Sequence, residues 1–76
     1  MNFYYMFIIQ GEIMDGTNRG NIKIGSRVLV VKKEHQRTGQ LTEGIVKRIL
    51  TNSQNDHRGI KVMLEDNVVG RVQQIK

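Results

Sequence analysis

The sequence predicts an all-β protein, a small single-domain open β-barrel of four or five strands. Three observations carry that reading. Apolar residues come in short runs or alternating stretches, as in Val28-Leu29-Val30-Val31 and Ile60-Lys61-Val62-Met63-Leu64. Glycine, asparagine and aspartate fall between those stretches and mark turns. No segment sustains a helical period, and 76 residues allow one domain near the lower limit of what folds without staples.

The chain divides into three parts. Residues 1–9 are nearly continuous apolar residues and hold both Phe and both Tyr of the sequence. That stretch is about half of the ~20 residues a membrane span needs, and it lacks the basic start and small-residue cleavage site of a secretory signal. Gly11-Glu12 can be encoded by GGAGAA, a ribosome-binding sequence just ahead of the Met14 codon. The reading is therefore that Met14 starts the working protein and 1–13 are a mis-called start or disordered leader. Residues 14–26 read as a flexible basic arm: Gly16, Gly20 and Gly25 with Thr17, Asn18 and Asn21 are turn formers, Arg19 and Lys23 supply charge, and Ile22 and Ile24 are the apolar anchors. Residues 27–76 form the barrel.

The barrel is organised around residues 28–50. The first strand spans 27–33, its Val28 and Val30 on one face and Leu29 and Val31 on the other, entered through a glycine turn at Gly25. A basic connection, KKEHQRTGQLTEG, follows, with a turn at Thr38-Gly39 and Leu41 as an apolar foot on the core. The second strand spans 44–50, opened by Gly44 as a bulge or bend and interrupted by Lys47-Arg48. Residues 51–59 have no apolar side chain and form a loop. Residues 60–65 alternate cleanly, Asp66-Asn67 makes a hairpin turn, and 68–75 pairs back with Gly70 at a bend or close approach. That register places Arg71 near Lys61.

Charge points to partners. Twelve Lys and Arg against seven Asp and Glu give +5 and a pI near 10.0, a balance that favours polyanions. Without Glu12 the ratio becomes twelve bases to six acids. The candidate nucleic-acid-binding set is Lys32, Lys33, Arg37, Thr38 and Gly39 in the basic connection, extended by Lys47, Arg48, Lys61 and Arg71. Cationic side chains, hydroxyls and glycine N–H groups are what phosphate oxygens accept from.

Catalytic and metal chemistry find no support. There is no Cys, two His do not make a structural zinc site, and neither GxxxxGK[ST] nor GxGxxG occurs. Asp56-His57 reads as a solvated pair, with no nucleophile or second carboxylate beside it. His35 reads the same way, although it could stack on a base. No catalytic residue, metal, cofactor, membrane contact or small-molecule substrate is expected.

The strand–basic-loop–strand arrangement resembles the KOW element of ribosomal and transcription-elongation proteins, over about 24 residues. Src-homology-three-like or KOW-like barrels, with OB-like as the alternative, therefore lead the topologies. A closer likeness runs from Asn18 to Ile75. Gln36-Arg37-Thr38-Gly39, Gly44-Ile45-Val46, Ile49-Leu50-Thr51-Asn52-Ser53, Gly59-Ile60-Lys61-Val62 and Val69-Gly70-Arg71-Val72 resemble the YwbE-type family of small bacterial proteins. His57-Arg58 stands where that family's pattern suggests His-Pro. The resemblance implies a start at the equivalent of Met14 and no established catalytic residues, the family's function being uncharacterised.

The functional expectation is a noncatalytic, monomeric, cytoplasmic module that binds RNA or another polyanion through phosphate contacts. The alternative is a protein-interaction module that accepts a partner at an exposed barrel edge. Mass spectrometry of the natively expressed protein is expected to recover an N-terminal peptide beginning at Met14; a peptide from residues 1–13 would contradict the leader reading.

Overall fold

The computed structural model describes residues 15–76, so the expectation for residues 1–13 lies outside the described residues. Four antiparallel strands are present: β1 (Arg27–Val31), β2 (Leu41–Ile49), β3 (Lys61–Leu64) and β4 (Val69–Ile75). Two 3-10 turns accompany them, η1 (Arg19–Asn21) before the barrel and η2 (Lys33–His35) between β1 and β2. The all-β class and the small barrel are as expected, but the barrel is closed rather than open. β1 pairs with both β2 and β4, and β3 pairs with both β2 and β4.

Closure depends on two long, bent strands. β2 pairs with β1 over its first half (Val31↔Leu41 through Arg27↔Ile45) and with β3 over its second (Val46↔Leu64, Ile49↔Val62). β4 does the same, facing β3 at Val69–Arg71 and β1 from Arg71 to Ile75. Register shifts between Val46 and Arg48 and between Leu29 and Val30 supply the bend. The first shift explains the interrupted apolar pattern of β2. It lets Val46 be buried and Ile49 pack on the core while both Lys47 and Arg48 are exposed.

The core is small and aliphatic. Val28 and Val30, Val46, Val62 and Leu64, and Val72 and Ile75 point inward from the four strands, with Ile60 and Ile22 closing it. Two inward positions hold glycine. A Cβ at Gly44 would stand 2.6 Å from Leu64 Cδ1, and one at Gly70 would stand 2.8 Å from both Val30 Cγ2 and the Val31 carbonyl oxygen. Leu64 and Val30 thus occupy the space those side chains would need.

Several local expectations change. β1 stops at Val31, because Lys32 caps η2 and Lys33 lies within it. β2 starts three residues early, at Leu41, whose side chain is 39% exposed and so is no foot on the core. Residues 15–26 lie along the barrel rather than standing off it as an arm. Ile60 N–H donates to Gly16 O, Asp56 N–H to Thr17 O and Arg19 N–H to Gln54 O, while Gly25 N–H donates to Val46 O and Val46 N–H to Ser26 O. Ile22 is buried but Ile24 is 64% exposed, so the segment is anchored by one isoleucine and by backbone bonds. The Asp66-Asn67 hairpin forms as expected, with Asn67 at φ 69° and Lys61 opposite Arg71.

Gly70→Ala is expected to lower the free energy of unfolding by about 1–3 kcal/mol, because its Cβ meets a backbone oxygen that cannot rotate away. Gly44→Ala, which meets the end of a leucine side chain, is expected to cost less. Urea denaturation of both variants checks the order.

Candidate nucleic-acid interface

The nine candidate residues do not form one patch. Four of them, Lys32, Lys33, Lys61 and Arg71, line a groove of about 660 Å³ on the outside of the barrel, between η2 and the β3–β4 hairpin. Its floor is made by Val31, Val68, Val69 and Gly70. The sheet geometry explains the convergence. Val31 pairs with Arg71 and Arg71 with Lys61, so three neighbouring strands send one cross-strand row to the outer face. η2 then lifts Lys32 and Lys33 beside that row.

The cations differ in availability. Lys33 and Lys61 are exposed and have no ion-pair partner among the described residues. Lys32 Nζ lies 3.7 Å from Glu34, an exposed residue at the rim. The Glu34 carboxyl is held below its ordinary value by a hydrogen bond from its own backbone N–H, with help from Lys32, so the rim keeps one negative charge at neutral pH. Lys47 does not line the groove, but its Nζ donates to Asn67 Oδ1 at 2.8 Å and Asn67 does. Arg48 is exposed opposite Met63 on the adjoining face.

Arg71 is committed to the fold. Its Nη1 donates to Asp56 Oδ2 at 3.0 Å and to the Gly59 carbonyl at 3.3 Å, and both side chains of the ion pair are mostly buried. Its charge is therefore partly offset within the protein, Asp56 being shared with Arg58. Asp56 is correspondingly not a solvated partner of His57. It accepts from the Arg58 backbone N–H at 3.0 Å and from the Arg58 guanidinium, while His57 is exposed beside it. These bonds, the Arg58 N–H first, hold the Asp56 carboxyl below its ordinary value of 3.8.

The turn after η2 stands apart. Arg37 is exposed and does not line the η2–hairpin groove. Gly39 (φ 77°) closes the turn by donating its N–H to His35 O at 2.8 Å, and the Thr38 hydroxyl donates to that same carbonyl at 3.3 Å. Those donors are spent locally rather than offered to phosphate. Gly39 borders a second, smaller groove of about 320 Å³ with Leu41, Arg58 and Gln73. His35 is half-buried, its Nδ1 enclosed and without a hydrogen-bond partner among the described residues, and it does not line the groove.

Sequence reasoning missed Gln36 and Asn67, the two amides lining the groove, and Asp56 as an anchor. The D-x-R-G spacing was the available signal for the last, since an Asp accepting from an N–H two residues on is a common turn device. No group of three metal-ligating side chains occurs among the described residues, and no helix there is long and apolar enough to cross a membrane.

Residues 15–75 match the family described as "Uncharacterized conserved protein (DUF2196)". The chain belongs to that family. It is 52% identical over 62 residues to the uncharacterized protein YwbE of Bacillus subtilis (strain 168), an alignment covering 82% of this chain and 95% of that one. The match confirms the YwbE-like family that the motifs of residues 18–75 resemble. It spans the η1 segment as well as the barrel, in keeping with the backbone bonds that join them. No solved structure matches the chain.

The Asp56 anchor makes stability depend on acid. Its folded-state carboxyl titrates below the unfolded value, so the contribution is fully present above pH 3.8 and is lost as pH falls through the lowered folded value. Asp56→Asn is expected to be less stable at pH 7 and to lose less stability on acidification than the parent. Urea midpoints measured across that range check both points.

Proposed function

We propose that this protein is a noncatalytic nucleic-acid-binding module, with RNA as the favoured partner, which uses the η2–hairpin groove as its contact surface. The observation that supports the reading is the meeting of Lys32, Lys33 and Lys61 over one groove, with Lys33 and Lys61 left without carboxylate partners among the described residues. Like charges placed together and unneutralised cost free energy unless a polyanion covers them. Lys47 and Arg48 extend the positive surface beyond the groove, and Arg71 lines it while holding the 51–59 loop through Asp56 and Gly59.

Affinity on this reading comes from phosphate neutralisation and counterion release. Residues 15–76 contain no Phe, Tyr or Trp, so aromatic stacking platforms of the usual kind do not contribute. Single strands or flexible loops suit a short groove better than a duplex. The setting that goes with this reading is the cytoplasm. No group in the groove is arranged as a nucleophile with a base, which supports binding without a chemical step.

Strand addition by a protein partner has less support. Every described strand has neighbours on both sides, so Val69–Ile75 offers no free edge.

Titration with mixed-sequence RNA at several salt concentrations tests the proposal. Binding is expected to weaken steeply with salt, and Lys33→Glu or Lys61→Glu is expected to reduce affinity at least about tenfold and the log–log salt slope by about 1 each. Lys76→Glu changes the net charge equally but lies outside the groove, and it is expected to bind nearly as the parent does. Absence of binding at low salt, or equal loss with all three reversals, would refute the assignment of the surface.

A further inference from the structure

We infer that the groove is a seat for one unpaired nucleotide, with the base lying on the Val31–Val69 floor and the phosphate held by Lys33 and Lys61. The inference rests on the nucleic-acid reading of the same groove and deepens it. A surface that met only phosphates would need cations and N–H donors. This one has in addition the half-buried Val31 and Val69 in its lining, with Val68, which also packs against the core, beside Val69. Apolar area of that kind gains nothing from a phosphate oxygen, whereas a flat heterocycle covers it.

One lining position carries no side chain for a reason already present in the core. Gly70 lies between Val69 and Arg71 with its missing side chain on the inner face, where Val30 packs against its backbone. The outer surface at that point is therefore backbone and valine. At about 660 Å³ the groove falls within the ~300–1,000 Å³ of small-ligand sites, the scale of a single nucleotide rather than of a helix.

The lining also carries groups that fit a base edge. Asn67 accepts from Lys47 through Oδ1, which leaves its amide N–H groups to donate. Gln36 is exposed and also lines the groove, and its amide offers both a donor and an acceptor. A duplex keeps its base faces inside the stack and cannot fill such a seat. The shared ligand chemistry is a phosphate-bearing heterocycle, which could come from an unpaired position in a strand or from a free nucleotide.

The test uses the full 76-residue chain and varies the ligand, so no variant needs to fold. Four probes are titrated at one low salt concentration: a short single-stranded RNA of mixed sequence, its duplex, an abasic oligonucleotide of equal length and charge, and nucleoside monophosphates. Amide shifts in an NMR spectrum are followed at Val31, Val69 and Gly70. The single strand is expected to bind at least about tenfold tighter than the duplex and the abasic strand, with those three amides shifting only when bases are present. Monophosphates that shift the same amides with comparable affinity would confirm the seat and identify a free nucleotide as its occupant. An abasic strand binding as well as the natural one would overturn the inference and leave the phosphate reading standing. Binding by none of the probes would overturn both.

Discussion

A four-stranded barrel has so little interior that its closure depends on where side chains are absent. Gly44 and Gly70 face inward, and Leu64 and Val30 fill the room they leave. Without those gaps β2 and β4 could not bend around a core of valines while keeping pairs on both sides. Barrel diameter falls with strand number, and at four strands a single methyl group is a large fraction of the available space. The register shifts in β2 and β4 serve the same end, by turning each long strand from one neighbour to the next.

Closure also fixes what the outside of the barrel can do. Once β4 is shared between β1 and β3, Val31, Arg71 and Lys61 stand in one cross-strand row. The loop that follows β1 then adds Lys32 and Lys33 to the row's end. A positive, partly apolar groove is thus a consequence of the pairing rather than of any single loop. Removing all edges has a second effect, since it takes away the surface on which strand addition would depend.

The 51–59 loop ties the N-terminal segment to this framework. Asp56 takes Arg58 and Arg71 on its carboxylate and the Thr17 carbonyl on its N–H, while Asn18 and Asn55 form an isolated bridge. Arg71 therefore spends its charge inside the protein, whereas Lys33 and Lys61 do not. The distinction between structural and available cations is set by one half-buried carboxylate. Exposed pairs such as Arg27–Glu43 contribute little by comparison, on the order of 0–1 kcal/mol.

Residue order alone determined the class of fold, the family, the Asp66-Asn67 hairpin and the pairing of Lys61 with Arg71, because turn chemistry and alternation act over a few neighbouring residues. It also indicated that Gly25 takes a positive φ and that Gly70 marks a close approach. Tertiary structure decided the rest. Leu41 and Ile24 look like anchors in sequence, but β2 begins on an exposed face and the 15–26 segment is held chiefly by backbone hydrogen bonds. Of nine candidate contacts, Thr38 and Gly39 spend their donors on His35 and Arg71 is paired with Asp56, facts invisible until the chain closes. Whether a barrel is open or closed depends on pairing between β1 and β4, some forty residues apart. No local pattern encodes a contact of that range; only the shared core of the four strands selects it.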